Sequence, residues 1–203
     1  MPFARVARRW LRLPEPFRAR HFRRREAWRP DYQIVAAALL ERLEFTSALD
    51  VGCANGFLLE AFLAAGKRVA GIEVSPQVRE VLPPALQEVV VIGDFTRASG
   101  AWDLVCCVEV AEHLPPRRSE PLVATLAAAG ERWIYFTAAA PGQRGRGHIN
   151  CRPHAEWQAM FRGHGWVLDE AATARLRESL QGLRQATWLR ANSLLLRPAD
   201  QVG

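Results

Sequence analysis

The chain has 203 residues, 49% hydrophobic and 24% charged, with a net charge of +6. That length fits one domain with a sizeable core, and the balance excludes a disordered or fibrous chain. No run approaches the roughly 18 uninterrupted apolar residues of a membrane span. The basic N-terminus has no apolar core followed by a cleavage site, so neither membrane insertion nor a signal peptide is expected.

The basicity is almost wholly arginine, since Lys67 is the one lysine. Heavy Arg and Ala usage fits a bias of the whole composition, and it also fits a basic surface. Cys53, Cys106, Cys107 and Cys151 show no CxxC spacing, so reduced thiols in a cytoplasmic protein are expected.

Residues 1–30 hold ten arginines interleaved with Phe3, Val6, Trp10, Leu11, Phe17, Phe22 and Trp28, and Pro14 and Pro16 break the segment in two. It reads as an extension ahead of a main domain at residues 31–203. A lid or a packed extension is preferred to an arm for nucleic acid or a membrane surface. Asp31 is placed to cap a helix from Tyr32 to Glu44, with Ile34, Val35, Ala38, Leu39 and Leu43 on one face.

Ser47 to Gly56 then reads as a buried strand, a tight turn and the opening of a helix at Phe57. Gly52 and Gly56 allow positive φ or close approach of a ligand. The free N–H groups of the new helix point at whatever sits in the turn, as in nucleotide-type sites at the carboxyl end of a parallel strand. The spacing is not the G-x-G-x-x-G of dinucleotide sites. Ala54 stands at the middle position, where a negative φ is expected to tolerate it.

The helix Phe57–Ala65 ends at Gly66, and a strand Arg68–Val74 carries Glu73 near its end. An acid there is placed for ribose hydroxyls. Pro76 opens a short helix, Val89–Ile92 is a third strand, and Gly93-Asp94-Phe95 follows. Trp102–Val108 is a fourth strand leading into Glu109-Val110-Ala111-Glu112-His113-Leu114. A helix Glu120–Ala129 and a fifth strand Arg132–Thr137 come next. The glycine-rich loop from Ala138 to Asn150 leaves the carboxyl edge of the sheet, which makes His148 a better site candidate than a surface histidine. A helix Pro153–Phe161 turns Trp157 and Phe161 inward, and Gly165–Leu168 starts a sixth strand. Residues 171–190 read as one helix whose stripe of Leu176, Leu180, Leu183 and Trp188 suits the core or a dimer surface. Asn192–Leu196 is the seventh strand.

Four features in this order, the Asp50–Gly56 turn, Glu73, Asp94-Phe95 and Val108 to Leu114, resemble the motifs of class I S-adenosylmethionine-dependent methyltransferases. The resemblance covers about Asp31 to Leu196. It implies an α/β three-layer sandwich whose seven-stranded, mostly parallel sheet has its last strand antiparallel. It also implies S-adenosylmethionine held by Asp50, Gly52, Cys53, Ala54, Asn55, Gly56, Glu73, Val74, Asp94, Phe95 and Glu109.

The sulfonium already activates the methyl group, so the protein has mainly to align the acceptor. A hydroxyl acceptor needs a base, and His113 and His148 are the histidines placed for it. The expected acceptor is a hydroxyl, before an amine, of a small polar metabolite such as a sugar or natural product, on a monomer or homodimer. Glu109, Glu112, His113 and His148 also resemble the divalent-metal set of small-RNA 2′-O-methyltransferases. A metal site and an RNA acceptor therefore stand as the second option, and a non-catalytic binding subunit as the third.

Overall fold

The computed structural model describes residues 19–201. Residues 1–18, which carry Pro14, Pro16 and the first part of the arginine-rich extension, lie outside the described residues, as do residues 202–203. The strands are β1 (Ser47–Val51), β2 (Arg68–Glu73), β3 (Val90–Ile92), β4 (Trp102–Val108), β5 (Gly130–Thr137), β6 (Trp166–Leu168) and β7 (Leu194–Pro198). They form one sheet in the order β3-β2-β1-β4-β5-β7-β6. The pairings from β3 through β5 are parallel, and β7 runs antiparallel to both β5 and β6. This is the architecture that the sequence motifs imply.

The strands are apolar on both faces because both faces are covered. In β4, Leu104, Cys106 and Val108 enter one core while Val105 and Cys107 enter the other. The first core is closed by α1 (Ala19–Arg25), α2 (Arg29–Arg42), α3 (Phe57–Ala64), α6 (Glu170–Ser179) and α7 (Trp188–Asn192). The second is closed by α4 (Ser119–Ala129) and α5 (His154–Gly163), with Leu122, Leu126, Trp157 and Phe161 fully buried. Each such side chain contributes roughly 1.5–3 kcal/mol relative to exposure. Trp157 and Phe161 face inward as the pattern anticipates.

Asp31 departs from its expected role. α2 begins at Arg29 with Pro30 in its first turn and no side-chain cap. Asp31 is 2% exposed, and its carboxylate accepts the backbone N–H groups of Arg184, Gln185 and Ala186, the one from Gln185 at 2.6 Å. Burial works against the charge, but these donors outweigh it and hold the carboxyl below its usual range. The same bonds break the anticipated helix over residues 171–190. Amides 184–186 are turned toward Asp31, so the segment divides into α6, a 3₁₀ turn at Leu180–Gly182 and α7. β7 consequently starts at Leu194, two residues later than expected, because Asn192 closes α7. Leu176, Leu180 and Leu183 pack into the first core.

Among the described residues no helix is long and apolar enough to cross a membrane.

Candidate active site

The turn after β1 is held from below by β2. Gly52 and Cys53 donate their N–H groups to the Ile72 carbonyl at 2.7 and 3.1 Å. Glu73 accepts the N–H of Ala54 on Oε2 at 3.0 Å and that of Ser75 on Oε1 at 2.9 Å. One carboxylate therefore fixes both its own loop and the glycine turn. Gly52 has φ +83°, and a Cβ there would lie 2.3 Å from Cγ2 of Val110 across the crevice. Ala54 corrects an expectation: its φ is +45°, left-handed and not negative. That conformation costs an L residue about 1 kcal/mol. Glu109, at φ +56°, is the other non-glycine residue of this kind among those described. Both strained residues line the same crevice.

Of the anticipated cofactor residues, Gly52, Ala54, Glu73, Val74, Asp94, Phe95 and Glu109 meet in that crevice, and Phe22, Arg25 and His113 join them. Cys53, Asn55, Gly56 and Asp50 lie outside its wall. Asn55 uses its side-chain N–H groups to reach the Phe22 carbonyl at 2.9 Å and Oε1 of Glu26 at 2.8 Å, which ties the end of α1 to the turn. Asp50 is buried inside β1, and its pKa is pushed from 3.8 to about 7, first by burial and then by the charge of Glu73. Burial also raises Glu73, partly offset by the amides of Ser75 and Ala54.

Asp94 takes the Thr96 N–H and an N–H of Arg118 on the same oxygen, the latter at 2.6 Å. Burial alone would raise its pKa, but these two donors outweigh it and hold the carboxyl below its usual range. Arg118 also lies 4.3 Å over the Phe95 ring. Arg118 was not anticipated. It follows Pro115 and Pro116 in a turn with no periodic signal, and only the Asp94-Phe95 pair hinted at a cationic partner.

A second cavity of about 450 Å³ adjoins the crevice and shares Phe22, Arg25, Glu109 and His113 with it. Glu112 is fully buried at its floor; neither carboxylate oxygen makes a well-formed hydrogen bond, although its own amide and that of Ala139 lie close enough to favour its charge. Burial first, then Glu109, push its pKa far above the carboxylate range. The carbonyl of Glu112 accepts the N–H groups of Ile149 and Asn150 at 2.9 and 3.1 Å. The Asn150 amide reaches the Ala111 carbonyl and Oγ of Ser119. These bonds return the glycine-rich loop to the end of β4.

The His113 and His148 rings thereby stand 5.0 Å apart at 73°. Nδ1 of His113 bonds the Gly147 carbonyl at 3.1 Å, and Nδ1 of His148 bonds the Gln143 carbonyl at 3.0 Å. Carbonyls only accept, so each Nδ1 carries a proton. Burial lowers the pKa of His113 to about 4, leaving that ring neutral at pH 7. A Cβ on Gly145 would sit 2.1 Å from Nε2 of His148, so glycine is what lets this ring fold over the loop. Donor atoms of Glu112, His113 and His148 lie within 4.8 Å of one another, a group able to hold a metal ion. Glu109 is drawn aside, with Oε1 accepting an N–H of Asn192 at 3.0 Å.

Residues 19–176 match the model of a family described as a methyltransferase domain. The chain belongs to that family. This methyltransferase domain is 33% identical over 100 residues to the ubiquinone biosynthesis O-methyltransferase of Burkholderia multivorans, covering 44% of this chain and 43% of that protein. The enzyme of the same description from Thiobacillus denitrificans is 32% identical over 98 residues, covering 44% and 42%. The match thus spans less than half the length of these curated relatives. Among solved structures, the magnesium protoporphyrin IX methyltransferase of Synechocystis PCC 6803 with bound SAH superposes with a TM-score of 0.62 at 19% identity, over 85% of this chain and 83% of that one. An amino pentose methyltransferase from Micromonospora echinaspora with bound SAM gives 0.60 at 16% identity, over 84% and 91%. The domain has their class I methyltransferase fold.

Proposed function

We propose that the domain binds S-adenosylmethionine in the crevice and transfers its methyl group to a hydroxyl of a small molecule in the adjoining cavity. The observation that carries this reading is the shared wall. Phe22, Arg25, Glu109 and His113 face both spaces, so a methyl group leaving one arrives in the other. That the curated relatives are O-methyltransferases favours oxygen as the acceptor atom.

Glu73 is the partner for ribose hydroxyls, and the oxygen of Asp94 that Arg118 leaves open is the partner for the adenine amino group, with Phe95 against the ring. Asp50, Cys53, Asn55 and Gly56 support the turn from behind. α1, with Phe22 1% exposed against the crevice, serves as a lid. In the reaction an acceptor oxygen attacks the methyl carbon in line, the carbon–sulfur bond breaks, and its electron pair stays on sulfur. The products are a methyl ether and S-adenosylhomocysteine. The hydroxyl proton passes to His148, because His113 is too weak a base to keep it. The test is calorimetric titration with S-adenosylmethionine together with an assay for S-adenosylhomocysteine across hydroxyl acceptors. Absence of binding at millimolar cofactor would sink the reading.

A second reading is favoured by the Glu112, His113 and His148 group, whose buried carboxylate makes no well-formed hydrogen bond. An ion there would lower the pKa of the acceptor hydroxyl, RNA 2′-hydroxyls included. The mixed nitrogen and oxygen donors suit Zn²⁺ or Mn²⁺ better than Mg²⁺. Activity that survives strong chelation unchanged removes this reading. Loss with chelator and recovery with Mn²⁺ establishes it.

A further inference from the structure

The cavity beside the crevice is chemically lopsided. One wall is aromatic: Trp28, Tyr32 and Trp188, with the Trp28 and Trp188 rings 5.4 Å apart and edge to face. Most of the surface it exposes is apolar, which suits a flat hydrocarbon body. Four guanidinium groups, Arg24, Arg25, Arg144 and Arg146, line it together with Glu109, Glu112, His113 and His148.

The arginines are not consumed by carboxylates within the cavity. Arg25 gives one N–H to the Tyr32 hydroxyl at 3.2 Å and lies 5.0 Å over Trp28, and its buried Nε has no acceptor. Arg146 donates an N–H to Nε2 of His21 at 2.6 Å. Glu109 gives Oε1 to Asn192, and neither Glu109 nor Glu112 forms an ion pair with any of these arginines. A buried guanidinium N–H without an acceptor is costly, and an anionic oxygen is the group that meets it.

Resting on the activity proposed above, we infer that the acceptor is an aromatic hydroxy acid. Its ring lies on Trp28, Tyr32 and Trp188, its anionic group meets Arg25, Arg144 and Arg146, and its hydroxyl points to the His148 end. The methyl group comes from the cofactor and the phenolic proton leaves through His148, so no further reactant is needed. A phenol, with a pKa near 10, also yields its proton more readily than a sugar hydroxyl.

Binding is read by quenching of tryptophan fluorescence in the full-length protein saturated with S-adenosylhomocysteine. The probes are 3,4-dihydroxybenzoate, its neutral methyl ester and a short single-stranded RNA. The acid is expected to bind at least tenfold more tightly than the ester. Arg144→Gln together with Arg146→Gln, on an exposed turn, should shrink that preference to within about twofold while S-adenosylhomocysteine affinity holds. Trp28→Leu should weaken acid and ester alike, since it removes the flat face and no charge. Equal binding of acid and ester, a preference that persists in the double arginine variant, or RNA binding more tightly than the acid each overturns the inference. Failure to bind S-adenosylhomocysteine at all would instead strike at the activity itself, so the two failures are distinguishable.

Discussion

Glu73 and Glu112 are both buried carboxyl groups just past the ends of strands that flank β1. Glu73 receives two backbone N–H groups and through them builds the cofactor turn. Glu112 has no well-formed hydrogen bond on its side chain, only the weaker approach of its own amide and that of Ala139, although its own carbonyl anchors the glycine-rich loop. The contrast separates two uses of a buried acid. One supplied with donors is a fastener whose negative charge is tolerated. One without well-formed bonds has its pKa driven up by burial and keeps its oxygens for a hydroxyl, a proton or a cation.

Asp50, in the strand between them, gives the sharpest test. Its folded pKa of about 7 lies above its ordinary 3.8, so the fold prefers the protonated carboxyl. Its contribution to stability therefore falls as pH climbs from about 4 to about 7 and is constant above that. Asp50→Asn should raise stability at pH 8 by roughly 2–4 kcal/mol and by much less near pH 4. Urea melts at both pH values check this. An unaltered pH profile would show that Asp50 is ionised at no cost.

His148→Ala tests the other side of the comparison. Loss of a positioned base should lower turnover about a hundredfold or more, with cofactor affinity within about twofold. A variant whose cofactor dissociation constant rises while its turnover holds would make the loop structural. Glu73→Ala should weaken cofactor binding by ~1–3 kcal/mol, and because Ala54 and Ser75 lose their acceptor, it should also lower the melting temperature. Glu112→Gln, which keeps a side-chain oxygen and lies outside the cofactor crevice, should leave the cofactor affinity alone. Equal behaviour of the two variants would erase the distinction between the acids. The smallest effect belongs to Ala54→Gly. Relief of the left-handed φ, worth about 1 kcal/mol, is largely offset by glycine's extra unfolded-state entropy, so the domain should be stabilised by no more than about 0.5 kcal/mol.

The sheet was legible because each strand is either a short apolar run or ends in a residue type that a cofactor turn requires. β1 is buried throughout, and Glu73 sits where β2 stops. The meeting of His113 with His148 followed from one idea, that a glycine-rich loop at the carboxyl edge returns to the site. What could not be read is what long-range side chains do to backbone. Asp31 looked like a local cap because an acid ahead of an apolar periodicity is the ordinary signal. Its real partners lie at Arg184, Gln185 and Ala186, beyond any local rule. Asn55 and Arg118 were hidden for the same reason, since each serves a partner from another part of the chain.

The clasp between Asp31 and residues 184–186 also sets an order of assembly. On the ribosome, α2 emerges first and must wait, its buried acid unmatched, until most of the domain has been made. The helix that covers the crevice is tethered through Asn55 and leads directly into α2. A chain ended before residue 184 is therefore expected to leave the Asp31 carboxylate without its amide donors, next to the helix that covers the crevice.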